Sequence, residues 1–343
     1  MSNLTVALAI LGGLVLAGVV AHGAWAARKA NPRRPAPEPR EPVMVGTNEA
    51  GRPPPEPPPP TFAGKSTKRA VARIDALIDA IAMLDLDAPI GGANLLAHLP
   101  HTRRAGSKPL LVEGLNADSG EWEAPEAGQH YSQVQAGVQL ANRSGALNEI
   151  EYSEFVQAVQ PFSDAIGAMP DFPDMLEVVA RARELDSFAT QCDAQLAVHL
   201  HARKSAWSVS YIQQHAGRHG FVPGAVPGKL VLPSTEPGAP AVLTLGFDAL
   251  AALDDNPNQA AVRDVTLSFD VPQTDARAEP FAAWQASAQA LSLGMDAAIV
   301  DDKGQPLSPQ GFAAIGSELG NLYGVLEARD LAAGSAAARR LFS

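Results

Sequence analysis

The chain has 343 residues, of which 46% are hydrophobic and 18% are charged, and its formal net charge is -11. This length leaves room for one or two globular domains at roughly 100 to 200 residues each. The acidic balance argues against binding along a nucleic-acid backbone. The single cysteine, Cys192, excludes an internal disulfide.

The first predicted element is a transmembrane helix from Leu4 to Ala27, after a short terminus of residues 1–3. It holds no charged side chain, and about 20 apolar residues span a hydrocarbon core about 30 Å thick. The flank that follows has five basic and two acidic residues, Arg28, Lys29, Arg33, Arg34, Arg40, Glu38 and Glu41. Because basic flanks stay cytoplasmic, the pattern predicts a single-pass inner-membrane protein with a periplasmic N-terminus and a cytoplasmic C-terminal region.

The ends of this helix carry further signals. His22 and Trp25 lie near its cytoplasmic end, where amphipathic rings rest among lipid headgroups. Together with Arg28 and Lys29 they form the predicted anchor flank. A cleaved secretory signal is the alternative, but no Lys or Arg precedes the apolar run.

Residues 28–65 form a linker that is first basic and then rich in proline. The runs Pro53–Pro55 and Pro57–Pro60 favour extended polyproline II or disorder, since such a stretch lacks hydrogen-bond donors and core-forming side chains. A spacer is the preferred interpretation. A docking site for a proline-recognising domain is the alternative.

Residues 191–330 have the pattern of an antiparallel sheet with helices on one face. Apolar and polar residues alternate in four strands, and two helices and a short strand follow, the last helix opening at Ser308 with Pro309 in its first turn. The predicted strands are 194–200, 229–233, 241–247, 265–271 and 297–300, and the helices are 205–218, 281–293 and a segment that begins at 309.

Three sequence features resemble the ZipA family, bacterial division proteins that anchor FtsZ to the inner membrane. Val19–Lys29, VVAHGAWAARK, resembles the end of the family's anchor. Val265–Pro272, VTLSFDVP, resembles its central strand, and Ser287–Pro309 resembles its helix, strand, paired-Asp turn and helix start. The resemblance implies a split β-α-β domain that binds the C-terminal tail of FtsZ, with other division proteins and the inner membrane as further partners.

Under this resemblance the outward face of the sheet is the candidate peptide-binding face. The alternation of the strands assigns six residues to it: Ala197, His199, Thr244, Gly246, Thr266 and Ser268. These side chains are more polar than the docking of an amphipathic tail helix requires. A plain solvated sheet face therefore stays an open alternative.

Residues 66–190 depart from the family pattern, in which this region is linker. They are predicted to form an additional α+β region, which is either separate or a degenerate copy of the ZipA-like unit. In the second case RIDALIDAIAML is its first strand, although Ile74, Leu77, Ile78 and Ile81 fit helical spacing equally well. Residues 331–343 are predicted to be a tail.

No catalytic constellation emerges, so the sequence predicts no enzyme, cofactor, metal or small-molecule substrate. His199 and His201 share one face of a strand, but the pattern supplies no carboxylate to complete a metal site. Gly91 and Gly92 lack the Lys-Ser/Thr of a phosphate loop. The remaining candidates have structural rather than functional interpretations. His98 and His101 are predicted to be surface histidines, Cys192 a buried thiol, and Asp254–Asp255 and Asp301–Asp302 parts of turns.

The preferred function is therefore a division adaptor that tethers the FtsZ ring to the membrane and supports septum assembly. The alternative is a TonB-like envelope scaffold or energy-coupling protein with a periplasmic domain, a class whose basic residues precede the helix. A tethered hydrolase or transferase ranks third, since no site for it can be assembled.

Overall fold

The computed structural model describes residues 73–254, 256 and 260–343, which form a mixed α+β structure with three sheets. They divide into two compact units. The first unit contains residues 73–196, Phe269–Ala283 and Ser308–Ser343. The second unit contains Ala197–Ser268 and Trp284–Leu307.

Strands and helices follow one another along the whole described part of the chain. Up to Cys192 they are β1 (Asp79–Leu86), β2 (Ile90–Gly91), α1 (Gly92–His98), β3 (Arg104–Ala105), β4 (Lys108–Asn116), β5 (Trp122–Glu123), β6 (His130–Gln139), β7 (Ala141–Asn142), β8 (Gly145–Ala146), α2 (Glu149–Ile166), β9 (Ala168–Asp171) and α3 (Met175–Cys192). Beyond it they are β10 (Gln195–Ala202), α4 (Val209–Gly217), β11 (Val222–Pro223), β12 (Lys229–Leu232), β13 (Leu243–Gly246), α5 (Ala249–Ala252), β14 (Asp264–Asp270), α6 (Pro280–Met295), β15 (Ala297–Val300), α7 (Pro309–Glu327) and α8 (Ala336–Leu341).

The first sheet has the order β3-β4-β6-β1-β9, with β2 beside β6 and β5 beside β4. Every second side chain of this part of β1 points into the core, and these residues, Ala80, Ala82 and Leu84, are buried. They pair in register with Val138, Ala136 and Val134 of β6, which are buried as well. Side chains from α2 and α3 complete this core. The predicted first strand begins only at Asp79, and a turn occupies 76–78, so neither the strand nor the helix interpretation holds before β1.

Local sequence fixes the helix ends. Asn148 accepts hydrogen bonds from the backbone of α2, and Glu151 bonds back to the Asn148 N–H, which completes a capping box. Gly167 ends the same helix in the left-handed conformation at φ 68°. Ser308 caps α7 by accepting from Gly311 N, with proline in the first turn as predicted.

Residues 331–343, predicted to be a tail, contribute to the core of the first unit. Leu331, Ala338, Leu341 and Phe342 are each at most 1% exposed. Helical spacing within α8 places two of these side chains on one face. The end of the chain is therefore a structural element of the first unit.

The second sheet has the order β11-β12-β13-β14-β10-β15. Four strands of each sheet follow one topology, since β4-β6-β1-β9 in the first corresponds to β13-β14-β10-β15 in the second. In both sets of four, the first strand in the chain lies between the third and the fourth: β1 lies between β6 and β9, and β10 lies between β14 and β15. Two copies of one unit would give this arrangement.

No helix in the described part of the chain is long and apolar enough to cross a membrane. This finding corrects two predictions, the single-pass inner-membrane location and the fold that begins with a transmembrane helix. The predicted helix Leu4–Ala27 and the linker 28–65 lie outside the described residues. The longest described helices, α2, α3 and α7, alternate buried and exposed residues, as helices that pack one side on a core do.

Candidate functional site

The six predicted face residues lie together on the second sheet. Thr244 pairs with Ser268, and Gly246 pairs with Thr266, so four of them form two cross-strand pairs between β13 and β14. Ala197 and His199 lie on β10, the other neighbour of β14. All six are half-buried. We call this set the polar sheet face.

The opposite face of the same sheet is the apolar one. Leu243, Leu245, Val265 and Leu267 are completely buried. The indole Nε1 of Trp284 in α6 donates to the Leu267 carbonyl oxygen at 2.9 Å, so this helix packs on that side. Leu196 and Phe247, which the strand alternation predicts on this inward side as well, are only half-buried. The alternation therefore separates the helix-covered side from the polar sheet face.

The polar sheet face has an apolar end that the sequence did not reveal. Val222 pairs with Val231, Val231 pairs with Thr244, and Thr244 pairs with Ser268. Paired residues of antiparallel strands point to the same side, so the four side chains form one row across β11, β12, β13 and β14. Val222 is 44% exposed and Val231 is half-buried. The row offers apolar anchors at the sheet edge and small polar groups toward its centre.

In the first unit, the side of the sheet away from the helices carries a segment of the same chain. Gly137 of β6 pairs with Ile81 and Leu111, and a Cβ at Gly137 would lie 3.1 Å from the Ile74 side chain. Next to it, Arg73 Nε donates to Glu113 Oε1 at 2.7 Å. The segment 73–74 therefore lies across that face, where a glycine makes room for an isoleucine.

One end of the polar sheet face carries two histidines. His199 and His201 lie on the same side of β10, and Asp264 of β14 lies beside both, with His201 Nε2 3.0 Å from Asp264 Oδ1. The two histidines were predicted to share a face, but no carboxylate was predicted to join them. Parity places Asp264 on the same side of β14 as Thr266 and Ser268, but only the position of β14 next to β10 brings it beside the histidines.

Two other candidates have structural roles. Cys192 ends α3 and is 3% exposed, as expected for a buried thiol. Burial raises the pKa of this thiol, while the charge of Arg329 opposes the shift. A thiol held protonated is a poor nucleophile. A Cβ on Gly92 would lie 1.9 Å from the Glu126 carbonyl oxygen, so close packing explains this glycine.

The remaining candidates lie at helix ends and turns. His98 is the last residue of α1, and its Nδ1 lies 2.9 Å from the Asn94 carbonyl oxygen. Asp301 accepts from the backbone N–H groups of Lys303 and Gln305, as a turn-forming aspartate does. Asp254 accepts from Asn256 N at 2.8 Å in the same way. His101 is exposed.

Several predicted residues fall outside the described part of the chain. They are the anchor-flank residues His22, Trp25, Arg28 and Lys29, and Asp255 of the first aspartate pair. No family model matches the chain, and no curated protein matches it.

Proposed function

We propose that the chain is a non-catalytic adaptor of bacterial cell division that binds the C-terminal tail of FtsZ on the polar sheet face. In this role it stabilises FtsZ polymers and recruits other division proteins. The observation that carries the proposal is the row from Val222 to Ser268, which combines an exposed and a half-buried valine with small polar side chains. The resemblance of β14 and of Ser287–Pro309 to the ZipA family supplies the identity of the peptide.

The shape of this face suits a peptide better than a compact ligand. Ala197 and Ser268 have small side chains and Gly246 has none, which leaves the sheet backbone close to the surface. A peptide gains affinity there by burying a few apolar side chains in the row and by contacting polar groups around it. Val222 and Val231 supply the apolar partners at the edge.

The first unit supports the same use of the fold. Its sheet carries segment 73–74 on the side away from the helices, with Ile74 against Gly137. That side of a sheet with the same strand order therefore accommodates a short chain segment with an apolar anchor. In the second unit, Thr244, Thr266 and Ser268 of the corresponding side remain half-exposed.

The test is binding of a fluorescent FtsZ tail peptide to the full chain, measured by anisotropy. The double variant Ala197→Glu with Ser268→Glu should weaken binding at least about tenfold. A peptide seated there would bury unpaired charges, and each 1.4 kcal/mol is about a factor of ten in affinity. Val222→Ser should weaken binding by a smaller factor through loss of an apolar contact.

The matched control is Ala286→Glu with Gln289→Glu, which adds the same two charges at exposed positions of α6. Circular dichroism should show unchanged folding in both double variants. The proposal fails if the wild-type chain does not bind the peptide. It also fails if the face variant and the helix variant bind equally well.

A further inference from the structure

The cluster around His199 brings imidazole and carboxylate groups together on one exposed surface. His199 Nδ1 lies 3.4 Å from Asp264 Oδ2, and His201 Nε2 lies 3.0 Å from Asp264 Oδ1. One ligand atom from each of the three residues can be chosen so that all lie within 4.8 Å of one another. The three side chains are between 25% and 52% exposed, so an ion can reach them from solvent.

The second ring nitrogen of His199 has a partner of its own. His199 Nε2 lies 3.1 Å from Asp302 Oδ1, while its Nδ1 lies 3.3 Å from Thr266 Oγ1. With an Nε2–H that donates to Asp302, Nδ1 carries the lone pair, and it lies near both Thr266 Oγ1 and Asp264 Oδ2. Histidine ligands of metals almost always donate their other ring N–H to a carboxylate, carbonyl or water.

We propose that His199, His201 and Asp264 form a binding site for a divalent transition-metal ion, best suited to Zn²⁺, with Asp302 orienting His199. Zn²⁺ binds histidine nitrogen at about 2.0 to 2.1 Å and carboxylate oxygen at about 2.0 to 2.2 Å in tetrahedral geometry. Ligand atoms around such an ion are roughly 3.3 Å apart. The two observed nitrogen-to-oxygen distances, 3.0 and 3.4 Å, lie near this spacing, with each histidine next to a different oxygen of Asp264.

The ligand types determine the class of ion. Imidazole nitrogens suit Zn²⁺, Ni²⁺ and Cu²⁺, whereas Mg²⁺ and Ca²⁺ prefer oxygen ligands. Three protein ligands leave a fourth position for water or for a side chain of a partner. A bound ion would join β10 to β14, and so would brace one end of the polar sheet face.

The site does not depend on peptide binding, and its test needs no peptide. Zn²⁺ is titrated by calorimetry into the full chain after removal of metals with EDTA. The wild-type chain should bind one ion that His201→Gln and Asp264→Asn each weaken more than tenfold. Asp302→Asn should weaken binding by about 10- to 100-fold, the usual effect of removing an outer partner of a histidine ligand.

His219→Gln is the matched control, because His219 is an exposed histidine of the same unit that lies outside the cluster. This variant should bind Zn²⁺ as the wild type does. Thermal melts in EDTA should show that all variants fold. If His201→Gln does not fold, the isosteric variant Asp264→Asn decides the outcome. A cluster that is only a set of ion pairs would bind no Zn²⁺. That result, or equal affinity of the wild type and Asp264→Asn, overturns the proposal.

Discussion

Arg340 of α8 forms an ion pair with a completely buried carboxylate in the core of the first unit. Its Nη1 and Nη2 donate to Asp79 Oδ2 and Oδ1 at 2.8 and 2.6 Å. The Asp79 side chain is 0% exposed and that of Arg340 is 13% exposed. Asp75 N also donates to Asp79 Oδ2. The segment predicted to be a tail therefore supplies the only side-chain cation on this carboxylate among the described residues.

Arg340→Met removes the charge and keeps most of the side-chain volume. Breaking a buried pair by removing one partner costs about 3 to 5 kcal/mol, because an uncompensated charge remains. In a domain of roughly 150 to 250 residues, each kcal/mol lowers the melting temperature by roughly 2 to 4 °C. The control is Arg277→Met, which breaks an ion pair whose arginine side chain is 90% exposed. Such surface pairs contribute about 0 to 1 kcal/mol.

The loss should depend on pH. Burial raises the pKa of Asp79 above its ordinary value of 3.8, and the hydrogen bond and charge of Arg340 oppose this shift. Without Arg340 the pKa of Asp79 rises further. A carboxyl group with a raised pKa in the folded state stabilises the fold in acid and loses that contribution as pH increases. The difference between variant and wild type should therefore be smallest below pH 3.8 and largest at neutral pH.

Urea unfolding followed by circular dichroism at neutral pH and in acid measures both effects. The double variant Asp79→Asn with Arg340→Met should recover part of the stability at neutral pH, because the amide leaves no buried charge. A loss below about 1 kcal/mol for Arg340→Met at neutral pH would refute the reasoning. So would a loss that does not change with pH.

Two further predictions concern single side chains of the first unit, each measured by urea unfolding. The Tyr323 hydroxyl is buried without a hydrogen-bond partner among the described residues, and burial raises its pKa to about 12. Tyr323→Phe should therefore leave the free energy of unfolding unchanged or raise it by up to about 1 to 3 kcal/mol. Tyr152→Phe, which removes a hydroxyl that donates to a backbone carbonyl, should instead cost about 0.5 to 1.5 kcal/mol, and equal effects would contradict this contrast. Asn148→Ala removes the cap of α2 and should cost about 1 kcal/mol. Its control is Asn321→Ala, at a solvent-exposed position in the middle of α7, which should not destabilise the protein. A larger loss of stability for Asn321→Ala than for Asn148→Ala would contradict the capping argument.

Five of the six strands of the second sheet were predictable from sequence because one strand face is buried. In β14, Val265 and Leu267 alternate with Thr266 and Ser268, and burial follows that period of two. The same parity placed the six residues of the polar sheet face on one side. Before β1 the pattern was ambiguous, since Ile74 and Ile78 fit a helix as well as a strand. Pairing of β1 with β6 and β9 decided where the strand begins.

The candidate site was predictable only in part. The alternation of side chains along β10 places His199 and His201 on one face. It does not show that β14 brings Asp264 beside them. Val222 joins the row because β11 pairs with β12, and a two-residue strand leaves almost no signal in sequence. These contacts join residues from different strands, so no local pattern contains them.

The sequence by itself determined the local elements of this protein, namely the strand faces, the helix caps at Asn148 and Ser308, and the burial of Cys192. Those features depend on neighbouring residues and on the solvent preference of each side chain. Only the tertiary structure decided that α8 belongs to a core and that Arg340 pairs with Asp79. It also decided that two sheets share one strand order. The reason is that hydrogen bonding between strands and burial of charge are settled by distant residues that only the folded chain brings together.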